Sequence, residues 1–266
     1  MKRTVLIVES PNDTAFYKKL HAIVLKGEEE NAHLIDIVEF QDLHNFDYDG
    51  TIQRGYSLSC LTKKLETIKR QLDKSNYGEV NHIAVIVDID FLPKETQKPN
   101  REHDGGGVNR LYQVSKAINT VFNTALNFEE LGEGNIAKTS IHLDEDTQVE
   151  DFYFSCFLTK NGSNTGNLDY LLHDLASKKA DAHHANCLYA WSDCLKSHKK
   201  PIKEGYLFKL WIDYYIRFDT ASKEEKSDAE NKLKFTSVME NKAEQIFNFD
   251  NEVLIPYKEY FSKILI

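Results

Sequence analysis

Nine residues a third of the way along the chain, HIAVIVDID at 82–90, restrict its possible folds more than any other stretch. Ile83 to Val87 are apolar without a break and mostly β-branched, a side-chain type that crowds a helix and suits a pleated strand. A strand that alternates apolar and polar residues leaves one face wet, whereas a strand without alternation needs cover on both faces. A parallel sheet with helices on each side supplies that cover. The run stops on Asp88 and Asp90, so the end of a dry strand carries two carboxylates. Pleating puts both on the same side of the extended segment, with Ile89 turned away.

The neighbouring segments follow strand, turn, helix order. TVLIVE is a short strand; S-P-N-D follows, and Phe16, Leu20, Ile23 and Val24 then recur at helical spacing. Pro11 ends the strand, and Asn12 or Asp13 is expected to cap the helix. LIDIVEF at 34–40 reads as a second strand, Leu61, Leu65, Ile68 and Leu72 mark a helix, and another helix runs over 108–126. SIHLDED at 140–146 reads as a fourth strand ending in acids. Beyond Glu150 the spacing reads as helical, through DFYFSCFL, LDYLLHDLA, the stretch 185–195, YLFKLWIDYYI and the closing NFDNEVLIPYKEYFSKIL. The expected fold class is α/β, a Rossmann-like parallel sheet flanked by helices over residues 1–158, with a mainly helical region over 159–266.

Apolar residues make up 41% and charged residues 28%, which excludes disordered and fibrous classes. The apolar run before Glu9 is shorter than a secretory core, and no run approaches the roughly eighteen apolar residues a membrane helix needs. Cys60, Cys156, Cys187 and Cys194 are irregularly spaced, as suits reduced thiols, so a cytoplasmic protein is expected. The net charge of −9 opposes general attraction to a polyanion; nucleic acid would have to meet a local basic patch. Lys196, Lys199, Lys200 and Lys203 form one such run in KSHKKPIK, and Lys63, Lys64, Lys69 and Arg70 share a second segment. Either run also fits an ordinary solvated surface.

Glu9, the Asp88–Asp90 pair and the acids Asp144, Glu145 and Asp146 each follow an expected strand. In a parallel sheet such strand ends share one edge, where open α/β folds place ligands. Gathered carboxylates repel one another, and a hard divalent cation offsets that repulsion. Mg²⁺ takes oxygen ligands, keeps several waters and borrows substrate phosphate oxygens.

These residues resemble the Toprim domain, in which a V-E-G-x-x-D strand end is followed later by an apolar strand ending in D-x-D. Here the first motif is V-E-S-x-x-D from Val8 to Asp13, with Ser10 in place of the usual glycine, and the second is Asp88–Asp90. Topoisomerases, bacterial primases, ribosomal-RNA maturases and overcoming-lysogenization-defect nucleases share that domain, and the likeness covers roughly residues 4–155. EDFYFSCFL and the closing VLIPYKEYF also resemble stand-alone Toprim proteins of prokaryotes. The resemblance implies a catalytic Glu9, Mg²⁺ or Mn²⁺ held by Glu9, Asp88 and Asp90, and Asp13 and Glu150 as further candidate ligands. It implies a nuclease cutting DNA or RNA, beside a partner ATPase in anti-phage defence. The basic run from Lys196 to Lys203 is the candidate nucleic-acid contact, and a homo-oligomer is allowed.

Other readings compete. A D-x-D phosphatase would use Asp88 as nucleophile but leaves Glu9 unexplained, and the residues after the motif, Phe91 and Leu92, do not suit that class. A binding or regulatory subunit would have lost the metal. His184, Cys187, Cys194 and His198 suggest zinc, yet on one helix they span about 21 Å at 1.5 Å per residue, too far for a single ion. With Trp191 they are expected to form a stripe packed in the core.

Overall fold

The computed structural model describes residues 3–25, 35–39, 58–72, 80–89 and 107–264. In chain order the first elements are β1 (Arg3–Val8), α1 (Pro11–Val24), β2 (Ile35–Glu39), α2 (Leu58–Leu72), β3 (Val80–Asp88) and α3 (Gly107–Phe122). They are followed by α4 (Phe128–Leu131), β4 (Ile136–His142) and β5 (Gln148–Thr159). Helices then dominate: α5 (Leu168–Leu175), α6 (His183–Ser197), α7 (Glu204–Tyr214), α8 (Lys223–Ser227), α9 (Ala229–Lys232), α10 (Phe235–Asn241), α11 (Ala243–Ile246) and α12 (Ile255–Ile264). A π-helical turn, Tyr215–Asp219, extends α7. Two compact units result, Met1–Leu158 with Lys258–Ile266, and Thr159–Tyr257. Among the described residues no helix is long and apolar enough to cross a membrane.

The first unit is an α/β sandwich around a five-stranded sheet in the order β2-β1-β3-β5-β4. β1 runs parallel to both β2 and β3, while β4 and β5 pair antiparallel. The unbroken apolar run of β3 is buried from Ile83 to Val87, as a central strand requires. One of its faces joins Ile83, Val85 and Val87 to Leu61, Leu65, Ile68 and Leu72 of α2 and to Val114, Ile118 and Phe122 of α3. The helical spacing of those side chains is therefore core spacing. Elsewhere in the unit α1 buries Phe16, Tyr17 and Leu20, and Tyr17 stacks on Phe261 of α12.

Two sequence expectations are corrected here. DFYFSCFL is not helical; it lies in β5. The pairing Thr139↔Phe152 followed by Ile141↔Val149 leaves Glu150 and Asp151 opposite Ser140 alone, a β-bulge in which Asp151 has φ 57°. The extra residue sets Val149 and Phe152 three apart on the same apolar cluster, which imitates helical spacing. Both faces of β5 are also buried beyond the bulge, so no polar alternation betrays the strand. The second correction concerns SIHLDED, whose strand β4 belongs to an antiparallel hairpin rather than to the parallel set. Its acids follow into the hairpin turn, where the Asp144 carboxylate accepts the N–H groups of Asp146 (2.9 Å) and Thr147 (2.6 Å).

Helix α12 returns Lys258–Ile266 to the first unit through a buried polar chain. His82 Nε2 lies 2.9 Å from Ser155 Oγ, which lies 2.7 Å from the Tyr260 hydroxyl, while Thr4 donates to the carbonyl of Ile264 at 2.7 Å. Burial pushes His82 down from 6.5 to about 4, because a buried imidazolium loses its water without gaining a counter-ion.

Two measurements test this packing. Phe154 is fully buried against Phe122 and Phe152, so Phe154→Ala should cost about 3–5 kcal/mol in urea unfolding. The His82 imidazole is favoured neutral in the fold, so its contribution is complete above pH 6.5 and is lost as pH falls towards 4. That loss should approach about 3 kcal/mol and be absent from His82→Gln, measured as the difference between the two stability–pH curves.

Candidate metal centre

Strand β1 delivers Glu9 and helix α1 begins two residues later. Ser10, rather than Asn12 or Asp13, caps that helix: it has extended φ and ψ, and its Oγ accepts the N–H of Asp13 at 3.4 Å. Pro11 occupies the first helical turn, where its fixed φ fits and its missing N–H costs nothing, so the cap has to precede it. The Ser10 hydroxyl in turn donates to the Asp13 carboxylate. Asp13 is thus held in the first turn of α1, where the helix dipole favours a negative charge.

Glu9 and Asp13 are only 8% and 5% exposed, an uncommon burial for carboxylates. Burying such charge is costly unless hydrogen bonds or cations compensate it. For Glu9 one compensation is explicit: its Oε1 accepts the backbone N–H of Asp88 at 2.8 Å. That bond crosses from the end of β1 to the end of the adjacent parallel strand β3. The two carboxylate-bearing strand ends are therefore fastened together, Asp88 itself being half-buried. Asp90 lies outside the described residues, as do the first five residues of EHDGGG, 102–106.

Sequence reasoning passed over Glu39. It ends β2 and pairs in register with Val8, so all three parallel strands finish in an acid at the same edge of the sheet. The available signal was the pattern itself, an apolar strand closing on a charge, repeated in VLIVE, LIDIVE and VIVD. Glu150 is placed differently. It is exposed in the bulge of β5 and its carboxylate accepts from Gln148 (3.0 Å) and Ser140 (3.4 Å), all within the β4–β5 hairpin. Asp144 has a turn to hold, and its hydrogen bonds to the Asp146 and Thr147 N–H groups and the Thr147 hydroxyl keep it below the usual carboxylate range. Asp151 pairs with Lys138 at 2.7 Å.

Among the described residues no group of three or more His, Cys, Asp or Glu side chains is arranged to hold a metal ion. The Glu9–Asp88 pair is nevertheless of the right kind for Mg²⁺, which takes oxygen donors and is commonly held by one or two carboxylates, the remaining positions going to water and phosphate.

The basic run has a structural role as well. Lys196, Lys199, Lys200 and Lys203 are all exposed at and beyond the C-terminus of α6. Lys199 adopts φ 58°, its N–H reaches the Lys196 carbonyl and the Lys200 N–H reaches that of Leu195, a Schellman ending. Lys196, Lys199 and Lys200 lie at the negative end of the α6 dipole, whereas Lys203 stands at the N-cap of α7. In the other segment Lys69 is committed to the carbonyl of Val121 (3.0 Å) and to the Phe122 ring. No protein-family model, curated protein or solved structure matches the chain.

Replacement of Asp88 by Asn removes a charge from the strand end while keeping the backbone N–H that holds Glu9. Asp88→Asn should weaken Mg²⁺ or Mn²⁺ binding in calorimetric titration by at least about tenfold, with the circular dichroism spectrum unchanged.

Proposed function

We propose that the chain is a Mg²⁺- or Mn²⁺-dependent nuclease of the Toprim type, hydrolysing phosphodiester bonds of DNA or RNA. The observation that carries this reading is the hydrogen bond from the Asp88 N–H to the buried Glu9 carboxylate, which sets two acids side by side at the ends of adjacent parallel strands. Glu9, Asp88 and Asp90 would hold the cation, with Asp13 at the edge of the same turn. When bound, the cation supplies charge stabilisation at the scissile phosphate and lowers the pKa of coordinated water.

The residues of the chain do the rest. Asp88 fixes the orientation of Glu9 through its backbone, and Glu9 accepts the proton of the water that attacks phosphorus. The leaving oxygen departs with a proton from solvent. Lys196, Lys199, Lys200 and Lys203 would meet the nucleic-acid backbone, contributing affinity that falls with salt. In this reading the enzyme works in the cytoplasm and is restrained by a partner ATPase, as an anti-phage effector.

Glu9→Gln is the direct test, since glutamine keeps the size of the side chain and loses both the charge and the basicity. Cleavage of plasmid DNA and of structured RNA with Mg²⁺ or Mn²⁺ should fall by about 10²–10⁴-fold, with the melting temperature close to wild type. Wild-type rates from the variant would remove Glu9 from the mechanism. Absence of both cation binding and cleavage in the wild-type protein, across both substrates, would favour a binding or regulatory subunit instead.

A further inference from the structure

The stripe His184, Cys187, Trp191, Cys194 and His198 was expected in the core. It is on the surface instead: Trp191 is 42% exposed, both cysteines are exposed free thiols, and α6 buries Ala185, Leu188 and Ser192 along the adjoining flank. Intervals of three, four, three and four residues place all five side chains along a single face of the helix. Side chains of metal-ligating type and an exposed tryptophan therefore share one exposed face of α6.

The order along the stripe is nearly palindromic. His and Cys stand seven and four residues before Trp191, and Cys and His stand three and seven residues after it. The first pair is centred about 8 Å from Trp191 along the axis and the second about 7.5 Å on the other side, at 1.5 Å rise per residue. One helix cannot fold these pairs onto a common ion. Two antiparallel helices related by a two-fold axis at Trp191 can, because each early pair then faces a late pair to within about 1 Å along the axis. Every such meeting assembles two sulfurs and two imidazoles, the tetrahedral Cys₂His₂ set.

A second observation points the same way. Asp219, in the π-helical turn, lies 2.9 Å from His184 Nδ1 and also accepts the backbone N–H groups of His184 and Ala185. A carboxylate on Nδ1 fixes the tautomer that presents Nε2 as the ligating nitrogen, the usual support of a metal-bound histidine. The Phe218 ring, 44% exposed, packs 5.8 Å from His184, with Tyr214 against it, extending the stripe into an aromatic patch of the kind enriched in interface centres.

We propose that two copies of the chain pair α6 against α6 in antiparallel fashion and bind two divalent cations of the zinc class between them. Each cation is held by His184 and Cys187 of one copy and by Cys194 and His198 of the other. Binding releases two thiol protons per site to solvent, and the thiolates and neutral imidazoles become ligands. The centre is separate from the carboxylate site and stands whether or not that site cleaves nucleic acid.

The test uses the full chain under a non-chelating reductant, with Zn²⁺ and Co²⁺ as probes. Stripped of metal it should sediment as a monomer; Zn²⁺ should bind at one ion per chain and drive dimerisation, and Co²⁺ should give tetrahedral thiolate absorption bands. The decisive arm mixes two variants, His184→Ala with Cys187→Ala, and Cys194→Ala with His198→Ala. Alone, neither should bind or dimerise with Zn²⁺. Mixed, they should form a heterodimer holding one ion, because one of its two sites is complete. Metal binding by the monomer, a dimer indifferent to chelation, or no recovery on mixing would each overturn the proposal. The substituted side chains are exposed, so the variants should keep the wild-type circular dichroism spectrum.

Discussion

Strand β3 cannot be wetted on either face, and the rest of the first unit is arranged around that condition. Its five consecutive buried residues, Ile83 to Val87, need a strand on each side to take their backbone groups and helices above and below to take their side chains. β1 and β5 supply the first, and α2 and α3 cover one of the faces. One chain of polar groups, His82, Ser155, Tyr260, is admitted and satisfied internally, tying β3, β5 and α12. A buried hydrogen bond contributes about 1 kcal/mol net, while an unsatisfied partner costs more, so such chains specify register more than they add stability.

Placing acids at the end of such a strand has a cost, and the structure shows where part of it is recovered. Glu9 accepts a backbone N–H of Asp88, and Asp13 sits in the first turn of a capped helix. A backbone N–H and the start of a helix are both favourable surroundings for a carboxylate. The edge therefore gathers Glu9, Asp13 and Asp88 within neighbouring strand ends and one helix start. Helical starts at the ends of parallel strands are where open α/β folds gather their chemistry, and the Glu9 turn is one of them.

The second unit, Thr159–Tyr257, solves a different problem, that of fitting many aromatic side chains into short helices. Trp211 stacks on Tyr215 at 5.0 Å and donates to Asn186, and the Tyr215 hydroxyl donates to the Ile246 carbonyl. Each large ring thus brings a polar tip that must be satisfied, and the side chains that satisfy it fix the helices in place. Trp191, Phe218, Tyr214 and Tyr206 are not used this way and stay exposed, which sets them apart as surface features.

The sequence by itself determined the α/β class, the first three strands, the covering helices and the candidate acids Glu9 and Asp88. These are written in periodicity and in strand ends, which depend on residues close together in the chain. It misread β5 because a bulge, a property of two paired strands, shifted the apolar spacing by one residue. It assigned the α6 stripe to the core because five residues at helical spacing show that they share a face, and not which face is covered. Only tertiary structure could give Glu9 its partner seventy-nine residues away, place Asp144 and Glu150 in a hairpin of their own, and return α12 to the sheet. Those outcomes depend on which distant segments pair, and pairing is decided by the whole set of buried surfaces competing for cover.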